Sequence, residues 1–144
     1  MIWERAPYRM TDDPNAVDLD VVHGFLTTSY WSPGVPKEVV ARGIAHSLPF
    51  SVFLEDAQVG FARAVTDRAT FAYLADVFVS EEHRGRGLGA WLVETVLAHP
   101  ELQGLRRWLL ATRDAHALYR KFGFTPIADA SRLMTRHDPE IYLR

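Results

Sequence analysis

The chain has 144 residues, of which 48% are hydrophobic, and its formal net charge at pH 7 is −2. This length suits one compact domain with a sizeable core, so we expect a single domain over residues 1–144. The near-neutral charge argues against nucleic-acid binding, which normally requires a strong basic excess. The sequence has no cysteine, which excludes disulfides and catalysis by a thiolate.

Targeting and membrane signals are also missing from the sequence. Residues 1–15 carry charges where a signal peptide needs an apolar run, and no apolar stretch approaches the roughly 20 residues of a membrane span. We therefore expect a cytoplasmic protein without a membrane partner. The six histidines show neither an H-x-x-H pattern nor a carboxylate at ligand spacing, so no metal site is predicted.

The first half of the chain changes from a helical period to an alternating one. Apolar residues at helical spacing predict a helix over residues 17–31 and another over residues 36–47. Residues 32–36 hold two prolines and a glycine, which end the first helix. Residues 49–65 alternate in hydrophobicity, which predicts two strands joined by a turn around Asp56 and Ala57.

The second half predicts alternating strands and helices. Residues 69–80 are apolar on both faces, which is typical of a central strand covered on both sides. A helix is predicted over residues 88–99, a strand over residues 105–112 and a helix over residues 114–124. The tail from residue 131 to residue 144 allows one or two short strands.

The last predicted helix has signals at both ends. Asp114 is the predicted N-cap residue, because an aspartate there can accept a hydrogen bond from the first turn. Gly123 is placed at the C′ position, with Phe124 folding back onto the last turn. Between the caps, apolar residues recur at the spacing of an amphipathic helix.

The order of these elements predicts the fold class. Three strands before the first crossover helix favour an antiparallel meander, and the strand–helix–strand unit that follows is long enough for a right-handed parallel crossover. We therefore expect an α/β protein whose mixed sheet has about six to seven strands flanked by about four helices.

The segment RGRGLG, residues 84–89, carries the clearest functional signal. Three glycines at alternate positions run directly into a helix, whose N-terminus has unpaired N–H groups and a partial positive charge. Glycines let a bulky group approach the backbone, and two arginines add positive charge. The pattern predicts a phosphate or pyrophosphate site, because a simple helix cap needs only one glycine.

Two common phosphate-binding motifs fit this segment poorly. A nucleotide P-loop requires Gly-Lys-Ser/Thr, which GLGAW does not supply. The dinucleotide motif is G-x-G-x-x-G, whereas the spacing here is G-x-G-x-G, and only about thirty residues remain for further parallel strands. A general nucleotide-binding domain is therefore the weakest of the alternatives.

The residues resemble those of the GNAT superfamily of N-acetyltransferases. RGRGLG is similar to that superfamily's Arg/Gln-x-x-Gly-x-Gly/Ala signature, and ALYRKFGF (117–124) is similar to its later segment with tyrosine and Gly-Phe. The stretch DVFVSEEH (76–83) resembles the strand before the pyrophosphate loop. The predicted order of elements is also the GNAT order, so the resemblance covers essentially the whole chain.

The resemblance implies a binding site for acetyl-CoA. In the family the strand before the loop splays from its parallel neighbour, and its backbone pairs with the pantetheine arm like an added strand. Here that strand would contribute Val77, Phe78 and Val79. The pyrophosphate would lie on the amides of Arg84, Gly85, Arg86, Gly87, Leu88, Gly89 and Ala90. Thr112 stands where the family often has an asparagine.

The resemblance also implies how the reaction is catalysed. Tyr119 matches the family's tyrosine, whose implied role is to protonate the thiolate leaving group. The alternative is a tyrosine that only packs in the core. Asp76 is our candidate for the general base, because apolar neighbours can raise a carboxylate pKa. It could equally bond a neighbouring strand or face solvent.

The acceptor would bind under the connection between the first two helices, as in the family. That connection contains Tyr30 and Trp31, which could form an apolar or cation-binding wall or could simply cap the core. No acidic cluster occurs there, so a polyamine acceptor has no support.

Two readings of the whole chain follow. We expect an acetyltransferase that moves an acetyl group from acetyl-CoA to a primary amine, in a ternary complex because no cysteine can carry the acyl group. The alternative is a non-catalytic acyl-CoA-binding sensor. By analogy with the family, the C-terminal strands could form a homodimer.

Overall fold

The structure, a computed structural model, describes all 144 residues and contains ten regular elements. The strands are β1 (Ile2–Arg5), β2 (Tyr8–Thr11), β3 (Leu48–Leu54), β4 (Ala57–Thr66), β5 (Phe71–Val79) and β6 (Arg107–Leu109). The helices are α1 (Leu19–Leu26), α2 (Lys37–Ala45), α3 (Leu88–Ala98) and α4 (His116–Arg120).

The six strands form one mixed sheet in the order β1-β2-β3-β4-β5-β6. All neighbours are antiparallel except β5 and β6, which are parallel and are connected through α3. The predicted α/β fold, with an antiparallel meander followed by a parallel strand–helix–strand unit, is confirmed.

Helices cover both faces of the sheet. Successive side chains of a strand point to opposite faces, and accordingly Ala62 packs with α3 whereas Phe61 packs with α1 and α2. The larger core lies under α3, where Trp91 and Leu92 are buried against the strands. This arrangement leaves the N-terminus of α3 at the end of β5, where the glycine segment lies.

An N-terminal hairpin of β1 and β2 was missed by the sequence analysis. Only Tyr8 and Met10 of β2 are buried, and β1 is largely exposed. Short strands with so few apolar positions give almost no alternating signal. Their pairing is decided by β3, because Tyr8 lies opposite Leu54 and Met10 lies opposite Val52.

The prediction of strands in the C-terminal tail is wrong. The tail contains only two single 3-10 turns, Ala130–Arg132 and Ile141–Leu143. The last strand is also shorter than predicted, because Arg107–Leu109 finds a partner only along Phe71–Tyr73. β5 therefore has a strand on each side, as predicted, but beyond Tyr73 it pairs with β4 alone.

Several predicted boundaries move by a few residues. The turn between β3 and β4 consists of Glu55 and Asp56, one residue earlier than expected, and α1 ends at Leu26 rather than at residue 31. Boundaries depend on local hydrogen bonding, which hydrophobic periodicity does not report.

At the start of α4 the N-cap prediction is wrong. Ala115 occupies the N-cap position, and its N–H donates to Thr112 Oγ1 at 3.0 Å. Asp114 remains exposed beside Arg113.

At the end of α4 the predicted glycine cap is confirmed. Gly123 has φ +88°, and the N–H groups of Gly123 and Phe124 donate to the carbonyls of Arg120 and Tyr119. These are the two bonds of a Schellman motif. The Phe124 ring packs edge-on against the Tyr119 ring, which fixes the tyrosine at the end of the helix.

Candidate functional site

A β-bulge on β5 opens the sheet next to the glycine segment. Phe61 pairs with Phe78 and Arg63 pairs with Ala75, so Asp76 and Val77 together lie opposite a single β4 residue. Asp76 has φ +56°, in the left-handed region that is rare for a residue other than glycine. A bulge bends its strand, and here it precedes the part of β5 that has no partner on the β6 side.

The opening lies between the ends of β5 and β6. Because β6 pairs only with Phe71–Tyr73, the backbone of residues 77–79 continues past it. Val77, Phe78 and Val79 line an open cleft of about 520 Å³ beside this opening. Phe78 closes the floor of the cleft by stacking on Phe25, with 4.0 Å between ring centroids.

The glycine segment forms a turn with free amide groups. Gly85 and Gly87 both have φ +78°, and a Cβ built on either would meet nothing within 4 Å. Gly87 is the N-cap residue of α3. The N–H groups of residues 85–90 donate no hydrogen bond within the protein, whereas the N–H of Arg84 donates to Glu81 O. The turn therefore presents a row of N–H donors at a helix N-terminus.

Both arginines of this turn bond to the protein. Arg84 Nε donates to the carbonyl of Val79 at 3.0 Å. Arg86 donates to the Tyr8 hydroxyl at 2.9 Å, and that hydroxyl also lies 2.9 Å from His83 Nδ1. Each guanidinium uses one nitrogen in these bonds, and both residues are exposed, so their other N–H groups stay available beside the backbone amides.

Tyr119 is buried on α4, with a side chain 9% exposed. Burial raises the pKa of its phenol, and the nearby Tyr30 and Asp114 raise it further. The group is therefore held as a neutral acid. Tyr30 and Asp114 both line the cleft beside β5, which brings Tyr119 close to that cleft.

A second, larger groove of about 570 Å³ lies along the free edge of β6. Tyr119 and Thr112 both line it. Thr112 Oγ1 already accepts the N–H of Ala115, and it keeps its own hydrogen to donate.

Tyr30 joins the two walls of the cleft. Its hydroxyl accepts the N–H of Arg113, and the Arg113 guanidinium lies 3.9 Å from the ring centroid. Trp31 packs edge-on against Tyr30 with 5.1 Å between centroids. Both aromatic residues therefore line the cleft, and their role as an acceptor wall stays a prediction.

Asp76 bonds to side chains from two other elements. Trp31 Nε1 donates to its Oδ1 at 2.9 Å, and Arg63 Nε donates to its Oδ2 at 2.5 Å. Arg63 also donates to Ser47 Oγ at 2.9 Å. The carboxylate side chain is 12% exposed. Asp76 thus holds Trp31 against the bulge.

Sequence reasoning missed Tyr8, Arg63 and Arg113. Tyr8 lies about seventy-five residues before its partner His83, and Arg63 is an isolated charge in an apolar strand. The charge at position 63 was the one available signal, because a buried-strand arginine needs a partner. Arg113, next to Thr112, gave no signal of its own.

A model of the acetyltransferase (GNAT) family matches residues 20–124, which include the glycine turn and α4. The chain belongs to the GNAT acetyltransferase family. The recognition made from the two sequence motifs is confirmed.

GNAT proteins of known structure share this fold. A Xanthomonas campestris pv. campestris protein, described as belonging to the GNAT family, is 46% identical; the match covers 96% of this chain and 99% of that one, with a TM-score of 0.93. A Gibberella zeae protein, "Putative acetyltransferase FG08082", is 28% identical over 142 residues, covering 83% of this chain and 79% of its own length.

One more distant structure is described as a predicted acetyltransferase with acetyl-CoA. It is a Clostridium acetobutylicum protein, 11% identical, with a TM-score of 0.62 and coverage of 90% of this chain and 93% of that one. This likeness shows the fold alone. In the present GNAT chain, none of the helices has the length and hydrophobicity that crossing a bilayer requires.

Proposed function

We propose that the protein transfers the acetyl group of acetyl-CoA to a primary amine of a small molecule or peptide. The observation that carries the proposal is the row of free amides at residues 85–90, which begins α3 beside an opened pair of parallel strands. A helix N-terminus with free N–H groups favours a diphosphate.

The residues around the opening fit acetyl-CoA. Gly85 and Gly87 leave space where side chains would block a diphosphate, and Arg84 adds charge nearby. The backbone of residues 77–79 has no strand partner on its β6 side and can pair with an extended pantetheine arm, although the Val79 carbonyl already accepts from Arg84 Nε. Thr112 supplies a hydroxyl donor across the opening. The bound thioester supplies the activated acetyl carbon.

Tyr119 acts as the general acid in this proposal. The amine nitrogen forms a bond to the acetyl carbon, the carbon–sulfur bond breaks, and Tyr119 donates its proton to the leaving sulfur. The attacking amine is neutral and loses one proton as the amide forms; that proton returns through a base to the Tyr119 phenolate, so protons and charge balance. Because burial keeps the phenol protonated, the acid is available at neutral pH. The transfer is direct, since the chain has no cysteine.

The assignment of Asp76 as the general base stays a prediction. The structure shows which groups its carboxylate already bonds to. Both carboxylate oxygens accept hydrogen bonds, one from Trp31 and one from Arg63. A proton reaches Asp76 only after one of these bonds lengthens or through the remaining lone pairs.

The acceptor's body is apolar or aromatic in this proposal. The cleft is lined by Phe25, Tyr30, Trp31 and Phe78, and the indole of Trp31 is 39% exposed. The carboxylate of Asp76 is paired with Arg63, and Asp114 lies beside Arg113. Since no unpaired acidic pair faces the cleft, a monoamine on an aromatic body fits better than a polyamine.

A panel of amines tests the reaction, with release of free CoA thiol as the readout. We expect arylalkyl monoamines to exceed polyamines in kcat/KM. CoA binding without thiol release from any amine would favour the non-catalytic sensor. Failure of CoA to bind the wild-type protein at all would contradict the proposed function.

Tyr119→Phe tests the acid. The ring and its packing against Phe124 remain, but the proton is lost, so we expect kcat to fall about 10²-fold with the affinity for CoA unchanged. Tyr73→Phe on β5 is the matched control, because it removes a phenol that makes no hydrogen bond in the structure. An unchanged kcat in Tyr119→Phe would remove this residue from the mechanism.

A further inference from the structure

The glycine turn is anchored by a residue from the opposite end of the sheet. Tyr8 lies on β2 with its side chain 6% exposed and its ring in the main core. Its hydroxyl reaches the turn, where it contacts His83 and Arg86 at 2.9 Å each. Those two residues flank Gly85, the first left-handed glycine of the turn.

The three polar groups complement one another chemically. A guanidinium can only donate, so Arg86 donates to the phenol oxygen. In the tautomer of His83 with its proton on Nε2, the phenol hydrogen is donated to Nδ1. Tyr8 therefore accepts from one side of the turn and donates to the other. The rings of Tyr8 and His83 also pack edge-on, with 5.8 Å between centroids.

This contact supplies rigidity that the turn lacks by itself. Gly85 and Gly87 have more conformations in the unbound chain than other residues, and a built Cβ on either touches nothing. A loop that must be ordered on binding loses affinity, and a loop ordered beforehand does not. The Tyr8 hydroxyl is the side-chain group from outside the turn that bonds to both flanks.

We propose that Tyr8 is a positioning residue for binding the diphosphate of the cosubstrate, acting by holding His83 and Arg86 on either side of the turn. This inference rests on the proposed function. It assigns Arg86 an indirect role, because one nitrogen of its guanidinium donates to Tyr8 and so connects the turn to β2. Tyr8 itself touches no substrate.

Tyr8→Phe removes the hydroxyl and keeps the ring in the core. A hydrogen bond to a charged group corresponds to about a tenfold change in an equilibrium constant, so the Kd for CoA rises about tenfold in this variant. The kcat at saturating acetyl-CoA stays at the wild-type value. Tyr73→Phe, the matched control, binds CoA with wild-type affinity.

A shortened thioester separates positioning from general loosening of the fold. Acetyl-pantetheine carries the same reacting group without the diphosphate. Tyr8→Phe therefore uses acetyl-pantetheine with the wild-type kcat/KM, while its kcat/KM for acetyl-CoA falls about tenfold. An equal fall with both thioesters, or an unchanged Kd for CoA, overturns the inference and leaves the proposed function intact. If the wild-type protein binds no CoA, both the inference about Tyr8 and the proposed function are overturned.

The indirect role of Arg86 is tested by a double-mutant cycle. If Arg86 acts through Tyr8, the variant carrying both Tyr8→Phe and Arg86→Gln binds CoA no more weakly than Tyr8→Phe alone. Additive losses would show that Arg86 contacts the phosphates itself and would overturn its assignment to Tyr8.

Discussion

Single residues of the site are held by partners distant in sequence. Asp76, Arg63 and Trp31 come from β5, β4 and the connection after α1, and they meet through two hydrogen bonds to one carboxylate. The two hydrogen bonds hold Asp76 in its left-handed backbone conformation within β5. A charged pair of this kind contributes more than an exposed pair because less water screens it.

Arg63→Gln is expected to lower the free energy of unfolding by about 2 kcal/mol, because it removes a charge-assisted hydrogen bond to a largely buried carboxylate. The control is Arg68→Gln, whose partner Glu101 is 53% exposed. That change should cost less than about 0.5 kcal/mol. Urea unfolding measures both, and equal losses would contradict the role assigned to the Asp76 pair.

Because of Tyr119, the free energy of unfolding depends on pH in the alkaline range. Burial, with Tyr30 and Asp114, raises its pKa above the usual 10.0. Below about pH 10 the phenol is protonated in both states. Above that pH the unfolded chain ionises first, so stability falls as pH rises. We expect Tyr119→Phe to unfold with a smaller loss of stability between about pH 10 and pH 11 than wild type. An identical slope would contradict this prediction.

At the scale of elements, α3 begins with a sequence that is poor for a helix and suited to an anion. Gly87 caps the helix in a left-handed conformation, and Gly89 follows inside the first turn. A glycine in a helix lowers stability relative to alanine. Gly89 has no positive φ and so needs no glycine for conformational reasons.

Gly89→Ala should therefore separate stability from binding. The new methyl would lie 3.7 Å from Leu118 Cδ2, which is an ordinary contact. Because alanine favours a helix over glycine, we expect the free energy of unfolding to rise by up to about 1 kcal/mol. The same methyl reduces the space beside the free amides, so the affinity for CoA should fall. Thermal unfolding and a CoA titration measure the two effects. A variant that is both more stable and binds CoA as well as wild type would show that the diphosphate lies elsewhere.

At the scale of the molecule, the last residues of the chain close over the connection between α1 and α2. Tyr142 packs against the core formed by these helices. Gly34, with φ +78°, lies directly beneath: a Cβ there would lie 3.0 Å from the carbonyl oxygen of Tyr142 and 3.1 Å from Leu143. The fold thus joins the connection that carries Tyr30 and Trp31 to the C-terminal turn.

A pair of glycine substitutions measures this contact. Gly34→Ala and Gly85→Ala impose the same φ of +78° on an alanine, but only position 34 has neighbours. We expect Gly85→Ala to cost about 1 kcal/mol from backbone strain. Gly34→Ala should cost at least about 1 kcal/mol more, because the C-terminal turn must move. Equal losses of unfolding free energy in the two variants, measured with urea, would mean that the C-terminal turn moves without an energetic penalty.

Much of the fold and one part of the site were predictable from local patterns. The β3–β4 hairpin, β5, α3 and the Schellman end of α4 each depend on residues near in sequence, such as Gly123 with Phe124. The same holds for the glycine turn. The N-terminal hairpin and the irregular tail were not predictable, because their conformation depends on whether a strand such as β3 offers an edge.

The sequence by itself determined the row of amides, since alternate glycines before an apolar helix allow the left-handed turns at positions 85 and 87 wherever the turn lies. Only the tertiary structure decided what surrounds that row. The bulge at Asp76, the anchoring of the turn by Tyr8 and the bond between Tyr30 and Arg113 require chain segments tens of residues apart to meet. Such contacts form through packing and hydrogen bonding in three dimensions, and no local periodicity encodes them.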